Sequence, residues 1–400
     1  MGIIVQKFGG TSVATPEFRQ KVIQKVVEGM ALHDVVVVVS AMGRRGDPYA
    51  TDTLISLLQQ AGVPAKHDLD IMMACGELMS AALVATSLRQ ANIKAVALAG
   101  WQAGILTDAN FGDARIITVQ ADYLRSLLAQ GVVPVVAGFQ GASDKGEITT
   151  LGRGGSDTSA AAIGVALGAS AIEIYTDVEG IMTADPALVH DARVINSLDY
   201  SEVFNMASQG SKVIHPRAVE LAMQRNIPLI IKSTLSEAAG TVIANNAFFE
   251  RKVGRAVTAV AHLSGVAQVT ISTPTEDSWL EYEIFRLLAE AMISVDLINV
   301  SPREKKFIVQ SEAMGKVNEA LRDLPVTISH REGCAKVSIV GTGMRGIPGV
   351  MAKVVAAMRE AEVRILQTSD SYLTISVLVD HADMEKAVQA LHDQFNLNSE

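Results

Sequence analysis

The first 240 or so residues alternate short β-branched runs with longer helical patterns, and this alternation constrains the fold more than any other feature. Helical patterns such as Pro16–Ala31, with Thr15 as N-cap and Pro16 at the first helical position, separate the runs. The order predicts an α/β fold with an open, mainly parallel sheet and helices on both faces, in which ligands bind at the carboxyl ends of the strands. The runs apolar on both faces, as in buried parallel strands, are Val35–Val39, Ala95–Leu98, Val132–Val136, Ile172–Tyr175 and Pro228–Ile231.

A second pattern repeats in the last third of the chain. Gln268–Ser272 is echoed 68 residues later by Lys336–Val340, and Ile293–Asp296 is echoed by Val363–Leu366. Each copy indicates strand, helix, strand, strand, helix, the order of small split βαβ ligand-binding modules. Two copies imply side-by-side pairing of sheets, within or between chains. The polar stretch 245–255 before them is predicted to be a linker.

Charge and cysteine content exclude several classes of function. The formal net charge of −9 argues against nucleic acid or an anionic membrane surface as a partner. Cys75 and Cys334 have no metal-ligand spacing and are predicted to be reduced packing residues. The chain starts with a strand-like run, Ile3–Phe8, without a leader pattern, and no apolar run approaches the roughly 20 residues of a membrane helix. We therefore expect a cytoplasmic protein.

The segment Lys7-Phe-Gly-Gly-Thr-Ser-Val13 stands where the first strand ends and the first helix approaches. Two adjacent glycines let backbone N–H groups approach phosphate oxygens, and the lysine adds a positive charge. A tight strand–helix turn with a solvated lysine would use similar residues. The motif therefore favours a phosphate site without requiring one.

The segment Gly152-Arg-Gly-Gly-Ser-Asp-Thr158 is a stronger signal. Its three glycines surround Arg153, and Ser156–Thr158 are predicted to cap the Ala-rich helix Ser159–Leu167. A helix N-terminus flanked by glycines binds anions, and an arginine there can bind a carboxylate through two hydrogen bonds. A plain capping turn would need neither three glycines nor an arginine, so the loop predicts an anion site.

Three carboxylates are candidates for binding roles. Asp177 and Asp185 follow the strand Ile172–Tyr175, where they would hold Mg²⁺ or order a nucleotide, although aspartate is also a common turn former. Glu77 lies in a helical stretch rich in Met, Ala and Leu. It is either a solvated helix residue or the partner of a substrate ammonium group, and we favour the second.

Two nucleotide-binding motifs are excluded. No Gly-x-x-x-x-Gly-Lys-Ser/Thr segment occurs, which excludes the common P-loop. Gly341-Thr-Gly-Met-Arg-Gly346 matches the dinucleotide fingerprint, but only about 65 residues run from its strand to Glu400, too few for a doubly wound domain. The other copy of the repeat lacks these glycines. We interpret the segment as a loop that binds a small effector through its N–H groups.

Together, these motifs resemble those of the aspartate kinases, within the amino acid kinase family. The resemblance covers essentially the whole chain and implies the amino acid kinase fold followed by two βαββαβ ACT-type regulatory domains. It implies ATP-dependent phosphorylation of the β-carboxylate of L-aspartate, the first step toward diaminopimelate, lysine, threonine and methionine. The matching segments, in chain order, are Lys7–Ser12, Val38–Met42, Thr149–Asp157, Tyr175–Gly180, Thr183–Pro186 and Lys212–Arg217.

The resemblance also implies domain bounds and assembly. The catalytic domain is expected at 1–244, the linker at 245–255, a first ACT region at 256–335 and a second at 336–400. In this family the first ACT unit is inserted into the second, so the strand 256–263 is expected to complete the second unit. Pairing of ACT units implies a homo-oligomer.

The resemblance assigns roles residue by residue. Lys7 and Asp157 are expected to be catalytic, with Lys7 stabilising the transferring phosphoryl group. Arg153 is expected on the α-carboxylate of aspartate, Glu77 on its ammonium group, and Ser40 with Thr51 on its β-carboxylate. That carboxylate is ionised at pH 7, so no general base is needed. ATP with Mg²⁺ is expected at Lys7, Phe8, Gly9, Gly10, Tyr175, Thr176, Asp177, Asp185, Lys212 and Val213, and aspartate at Ser40, Thr51, Glu77, Arg153, Gly154, Gly155 and Ser156.

The sequence leaves more than one candidate for the effector and for the function. The insertion Ala41–Asp52 is similar to the diaminopimelate-responsive isozymes of spore-forming bacteria, whereas Thr273–Trp279 replaces the usual Asp-x-Pro-Gly effector loop. The candidate effectors are diaminopimelate, lysine and threonine, and the replaced loop argues against lysine or threonine as the direct effector. A kinase for glutamate or acetylglutamate is an alternative, but acetylglutamate has no free amine to offer Glu77. An amino acid sensor without catalysis is another, which the intact lysine, glycines and arginine disfavour.

Overall fold

The computed structural model describes residues 2–211, 213–245, 256–344 and 346–399. The chain divides into two compact units. The first comprises Met1–Ile181, Val194–Ala207 and Lys212–Arg251, and the second comprises Met182–Arg193, Ser208–Ser211 and Lys252–Glu400. Two short segments from the N-terminal part of the chain thus pack with the C-terminal unit. Residues 246–255 of the predicted linker lie outside the described residues.

The first unit contains an eight-stranded sheet, in which neighbouring strands are parallel except for one antiparallel pair, β11 with β12. Its order is β10-β12-β11-β9-β1-β2-β6-β3, and a smaller sheet has the order β5-β4-β7-β8. The strands are β1 (Gly2–Phe8), β2 (His33–Val39), β3 (Ala95–Leu98), β4 (Ile105–Thr107), β5 (Ile116–Val119), β6 (Val133–Ala137), β7 (Gln140–Ala142), β8 (Ile148–Thr150), β9 (Ala171–Thr176), β10 (Ser197–Asp199), β11 (Leu229–Ser233) and β12 (Thr241–Ala244).

Helices cover both faces of the large sheet, which confirms the predicted fold class. Alternation along β2 puts Val35, Val37 and Val39 into a core with α2 and α4, while α6 covers the opposite face, where Gly164 approaches Ile172 closely. The predicted start of α2 is confirmed, since the Thr15 hydroxyl accepts from the Phe18 N–H. The helices are α1 (Gly10–Val13), α2 (Pro16–Met30), α3 (Thr51–Gln60), α4 (Lys66–Gln90), α5 (Asp122–Ala129), α6 (Gly155–Leu167), α7 (Tyr200–Ser208) and α8 (Pro216–Arg225).

Helix α4 is, within the described ranges, long and apolar enough to cross a membrane by length and composition alone. This finding does not contradict the sequence prediction, which concerned uninterrupted apolar runs, because polar residues such as Glu77 interrupt the apolar stretch of α4. The side chains of Ala81, Val84 and Leu88 pack in the core of the first unit. Helices that form part of a protein core pass the same test.

The second unit confirms the predicted repeat of strand, helix, strand, strand, helix. Its six strands form one sheet in the order β14-β15-β13-β16-β18-β17. Each repeat has its own core, one under α9 and α10 and the other under α11 and α12. The elements are β13 (Ala259–Ser272), α9 (Ser278–Glu290), β14 (Asp296–Val300), β15 (Glu304–Gln310), α10 (Met314–Leu321), β16 (Thr327–Val340), α11 (Val350–Glu360), β17 (Gln367–Asp370), β18 (Thr374–Asp380) and α12 (Met384–Gln394).

Strands β13 and β16, with 14 residues each, run through both repeats. The first part of β13, 259–264, pairs with 335–340 of β16, which also pairs with β18. The last part of β13, 266–272, pairs with β15. The two copies are therefore joined within one chain by continuous backbone pairing.

Candidate active site

The carboxyl ends of three central strands meet at the glycine loop that follows β1. The N–H of Gly9 donates to the carbonyl of Tyr175 at 3.1 Å, and the N–H of Ser40 donates to the carbonyl of Phe8 at 3.1 Å. The rings of Phe8 and Tyr175 stack with their centroids 4.8 Å apart. The ends of β1, β2 and β9 thus form one continuous rim, where ligands of α/β sheets bind.

The loop after β2 closes directly on this glycine loop. A Cβ on Gly10 would lie 2.6 Å from the carbonyl oxygen of Ala41, so a larger residue would push the two segments apart. The N–H of Gly43 donates to the carbonyl of Gly10 at 3.0 Å. The next residue, Arg44, forms an ion pair with Asp177, which follows β9. This contact ties the insertion Ala41–Asp52 to the predicted nucleotide side of the site.

Lys7 and Asp157 form an ion pair between the end of β1 and the first turn of α6. The Lys7 Nζ lies 2.7 Å from Asp157 Oδ1, and the two side chains are only 11% and 12% exposed. Little solvent reaches this pair, so it holds the ammonium group in one position beside the glycine loop. The charge of a flexible surface lysine would lack that orientation.

Helix α6 begins at Gly155, four residues earlier than predicted, so Ser156–Thr158 lie in its first turn and do not cap it. The N-cap is Gly154, with φ 69° in the left-handed region, and no side chain in the described part of the chain caps the helix. A glycine adopts this conformation without the steric cost other residues incur, which lets the helix start earlier. The positive end of the helix dipole is thereby left open to an anion.

Gly154 gives a direct test of this loop. A Cβ at this position would lie 2.4 Å from the Cβ of His215, so Gly154→Ala combines left-handed strain with a clash. We expect kcat/KM to fall about 100-fold, the effect of displacing a positioning group by roughly 1 Å. The measurement is steady-state kinetics with circular dichroism to verify folding.

The matched control is Gly168→Ala at the other end of α6. Gly168 has φ 66° but nothing within 4 Å of an added Cβ. It therefore carries the same strain without the clash, and we expect kcat/KM within about threefold of the unaltered chain. Equal losses in both variants would mean that strain, and not displacement of the loop, causes the effect.

Glu77 is buried in the middle of α4, with 3% of its surface exposed. Its Oε1 accepts a hydrogen bond from the Ala41 N–H at 3.0 Å, while Oε2 is buried with no hydrogen-bond partner among the described residues. Burial raises the pKa of Glu77 to about 8, against the opposing effect of the Ala41 N–H. A buried carboxylate oxygen without a partner is unfavourable, and a cationic ligand group would satisfy it.

Hydrogen bonds fix the start of the loop that carries Arg153, whereas the Arg153 side chain is exposed. Asp70, fully buried, accepts from the N–H groups of Gly112 and Thr150 at 3.0 and 2.8 Å. The Arg217 guanidinium donates to the Leu151 carbonyl at 3.2 Å. Arg153 itself is exposed and forms no ion pair with any residue in the described ranges. A rigid base with a free guanidinium suits capture of a carboxylate ligand.

Most of the remaining predicted residues lie on the same loops. Ser156 is buried beside Gly138, where a Cβ on Gly138 would lie 3.0 Å from its Cα. Thr51 is the first residue of α3, and Val213 is half-buried just before α8. Thr176 donates from its hydroxyl to Asp177 at 3.0 Å.

Two of the residues predicted to bind the nucleotide are not among the described residues of the first unit. Asp185 belongs to the second unit, where it is exposed and accepts from the Ala187 N–H at 2.9 Å. Lys212 lies outside the described residues.

A buried network under Tyr175 was not predicted. Glu173 Oε2 accepts from Gln6 at 2.9 Å and from the Tyr175 hydroxyl at 3.0 Å, and Oε1 accepts from Lys232 at 2.7 Å. Burial opposes ionisation of Glu173, but the hydrogen bonds from Lys232 and Gln6 outweigh it and lower the pKa. The network fixes the Tyr175 ring against Phe8. Its only signal in the sequence was two polar residues, Gln6 and Glu173, inside buried strands.

Comparisons with known proteins identify the family to which the chain belongs. A family model described as the amino acid kinase family matches residues 2–233, and one described as the ACT domain matches residues 329–393. The chain is 45% identical over 407 residues to aspartokinase 1 of Bacillus subtilis, with 100% of both chains covered. It is 41% identical over 408 residues to an aspartokinase of Geobacillus stearothermophilus, with 100% and 98% covered.

Solved structures give the same result across the full length. The chain is similar to aspartokinase III of Escherichia coli in complex with aspartate and ADP in the R-state, with a TM-score of 0.84 and 27% identity. The T-state of that protein, in complex with lysine and aspartate, gives a TM-score of 0.75. In both cases 98% of this chain and 99% of the other are covered.

Proposed function

Because the chain belongs to the amino acid kinase family and is an aspartate kinase, we propose that it transfers the γ-phosphoryl group of Mg·ATP to the β-carboxylate of L-aspartate. The product is 4-phospho-L-aspartate. The main support for this proposal is Glu77 Oε2, which is buried and has no hydrogen-bond partner among the described residues. The other oxygen of Glu77 accepts a hydrogen bond from the N–H of Ala41, and Ala41 lies against Gly10. An acceptor for an ammonium group thus lies one contact away from the predicted phosphate loop.

On the nucleotide side, the proposal assigns the phosphates to the glycine loop and the open end of α6. The Lys7 ammonium group supplies a positive charge, and Gly9 and Gly10 let the backbone approach the phosphates closely. The first turn of α6 contributes the positive end of the helix dipole. Phe8 and Tyr175–Asp177 form the rim beside them, and Lys212 with Val213 and Asp185 are assigned to the nucleotide by resemblance. Mg²⁺ enters with ATP as part of the substrate and neutralises phosphate charge.

On the amino acid side, each charged group of aspartate has a partner. Arg153 binds the α-carboxylate, and Glu77 binds the ammonium group. Ser40 and Thr51 orient the β-carboxylate toward the γ-phosphate. Gly154, Gly155 and Ser156 line the approach, although the Gly155 N–H already donates to the Gly152 carbonyl at 3.0 Å. Glutamate would bind with the same α-groups, but its longer side chain would misplace the reacting carboxylate.

The chemistry then needs positioning and charge stabilisation more than proton transfer. The β-carboxylate attacks the γ-phosphorus in line, the bond from the γ-phosphorus to the β–γ bridging oxygen breaks, and ADP leaves with that electron pair. The attacking carboxylate is ionised at pH 7, so no residue has to remove a proton. Lys7, held by Asp157, stabilises the charge on the transferring phosphoryl group.

A coupled assay of ADP release across three candidate acids tests the substrate. We expect turnover with L-aspartate, at least 100-fold lower kcat/KM with L-glutamate because of misplacement, and none with N-acetyl-L-glutamate. A preference for either of the latter acids would overturn the assignment. Effector binding by calorimetry without ATP binding or turnover would instead support a sensor.

The ACT repeats are proposed to give feedback control through a bound amino acid. Among the solved structures similar to this chain, aspartokinase III of Escherichia coli is described with lysine and aspartate in the T-state. For this chain we propose diaminopimelate, because the insertion Ala41–Asp52 is similar to that of diaminopimelate-responsive isozymes. Lysine and threonine are the competing effectors. A ligand that inhibits must bind the inactive form more tightly.

Titration of activity with diaminopimelate, lysine and threonine, singly and together, separates these effectors. We expect diaminopimelate alone to inhibit, and its binding to weaken when Mg·ATP and aspartate are present, because linkage is reciprocal. Inhibition by lysine or threonine but not by diaminopimelate would contradict the proposal.

We also propose domain bounds, a cellular location and an oligomeric state for the chain. The domains are proposed at 1–244, 256–335 and 336–400, with 245–255 as linker. The product enters the route toward diaminopimelate, lysine, threonine and methionine in the cytoplasm, where the two free cysteines, Cys75 and Cys334, would stay reduced. A homo-oligomer paired through the ACT repeats is proposed as the working form.

A further inference from the structure

Three side chains that can bind a metal ion meet between α12 and the segment 182–193 of the second unit. They are Asp191, His392 and Asp393, and one ligand atom from each lies within 4.8 Å of the others. His392 Nδ1 is 3.8 Å from Asp191 Oδ1 and 4.0 Å from Asp393 Oδ1. The two aspartate side chains are 44% and 56% exposed, so both can turn toward a common ion without disturbing the core.

The histidine provides an independent observation. His392 is fully buried, and its Nδ1 has no hydrogen-bond partner among the described residues. A buried polar atom without a partner is rare and destabilises the folded protein. Here that atom points toward two carboxylates, at distances too long for hydrogen bonds. An ion between the three groups would satisfy it.

The other ring nitrogen is already engaged in a way that suits metal binding. His392 Nε2 lies 2.9 Å from the Thr183 hydroxyl oxygen, which also accepts from the Arg193 N–H at 3.0 Å. If Nε2–H donates to Thr183, the lone pair of Nδ1 faces the carboxylates. Histidine ligands usually donate their second N–H in this manner.

The carboxylates are also oriented by neighbours. Asn398 donates its amide to Asp191 Oδ2 at 2.7 Å, which leaves Oδ1 on the side of His392. Gln389, one turn earlier on α12, donates to Asp393 Oδ1 at 3.0 Å. Such outer hydrogen bonds hold ligands in place for an ion.

We propose that Asp191, His392 and Asp393 bind one divalent transition-metal ion of the zinc class. One imidazole nitrogen and two carboxylate oxygens suit Zn²⁺ or Co²⁺, with water completing the coordination, and the two negative charges balance the ion. Val189 and Leu391 share one core in this unit. The ion therefore fastens the segment 182–193 to α12 where they already pack together.

Optical titration with Co²⁺ tests the site on the full chain after treatment with a chelator. We expect one equivalent to give visible absorption bands of bound Co²⁺, and Zn²⁺ to displace it. Asp191→Asn and Asp393→Asn each remove a ligand at an exposed position where folding is not at risk. We expect each to weaken Co²⁺ binding at least tenfold.

A matched control separates this site from adventitious binding. His330 and Glu332 form an exposed pair with 3.6 Å between Nε2 and Oε1, so Glu332→Gln removes a similar His–carboxylate pair. We expect that variant to bind Co²⁺ as the unaltered chain does. No Co²⁺ bands in the unaltered chain, or undiminished binding in the two aspartate variants, would overturn the proposal. The readout does not depend on kinase activity, so failure of one proposal leaves the other standing.

Discussion

Replacing Lys7 with alanine is expected to lower kcat by about 100- to 1,000-fold, the usual effect of removing one charged group that stabilises a transition state. The Lys7 ammonium is held by Asp157 at 2.7 Å and almost shielded from solvent, so no other group would take its place without rearrangement. The KM for aspartate should change little, because Lys7 is assigned to the phosphoryl group. Steady-state kinetics with each substrate varied in turn measures both effects.

Lys25→Met is the matched control for this variant. Lys25 is equally shielded, with 7% of its side chain exposed, and pairs with Glu237 at 2.7 Å, but it lies on α2 and outside the predicted site. We expect kcat within about threefold of the unaltered chain. If Lys7→Ala turned over at a similar rate to Lys25→Met, Lys7 would have no catalytic role.

Replacing Glu77 with glutamine is expected to raise the KM for aspartate by at least 100-fold, because one partner of a buried charge pair is lost. The expected pH dependence is equally diagnostic. Free Glu77, with a pKa of about 8, is mostly protonated at pH 7 and must lose its proton before it binds an ammonium group. The KM should therefore fall about tenfold from pH 7 to pH 9 in the unaltered chain, and this fall should be absent in Glu77→Gln.

The same substitution should stabilise the ligand-free protein, and the gain in stability should increase as pH rises. The folded-state pKa of Glu77 is raised above 4.5, so the unfolded state binds fewer protons between pH 4.5 and pH 8, and stability falls as pH rises through that window. Glutamine removes the buried charge. We expect thermal unfolding to show no difference near pH 4 and a gain of about 5 kcal/mol at pH 9, because each pH unit between 4.5 and about 8 contributes roughly 1.4 kcal/mol.

Two controls support the interpretation of Glu77→Gln. Glu220→Gln changes an exposed carboxylate on α8 and should leave both KM and unfolding unchanged. Saturating aspartate should reduce the stability difference, because its ammonium group satisfies the carboxylate of the unaltered chain. A variant with unchanged KM and unchanged stability would show that Glu77 neither binds substrate nor carries a buried charge.

Local patterns in the sequence were sufficient for the elements but not for their ends at the site. The strands and the start of α2 follow from periodicity and from Thr15 with Pro16. The predicted start of α6 was wrong by four residues, because Gly154 in the left-handed region serves as the N-cap in place of the predicted capping side chains. The motif residues remain predicted site residues, and the backbone geometry around them could not be predicted from the sequence.

Contacts between distant residues could not be predicted from the sequence. Arg44 and Asp177 are 133 residues apart, and Asp70 bonds Thr150 across 80 residues. The burial of Glu77 was equally hidden, because a lone carboxylate in an apolar helix has no periodicity of its own. Membership of the segment 182–193 in the second unit also follows from packing, since its chain neighbours on both sides belong to the first.

The sharing of β13 and β16 by both repeats of the second unit affects how that unit unfolds. Neither repeat can melt or shift its central strands without breaking hydrogen bonds that continue into the other, so the duplicated modules should unfold in a single transition. An amide slowed in hydrogen exchange by a ligand in one repeat should therefore have slowed counterparts in its twin. We therefore expect the two repeats to unfold, and to be stabilised by a ligand, as one cooperative unit.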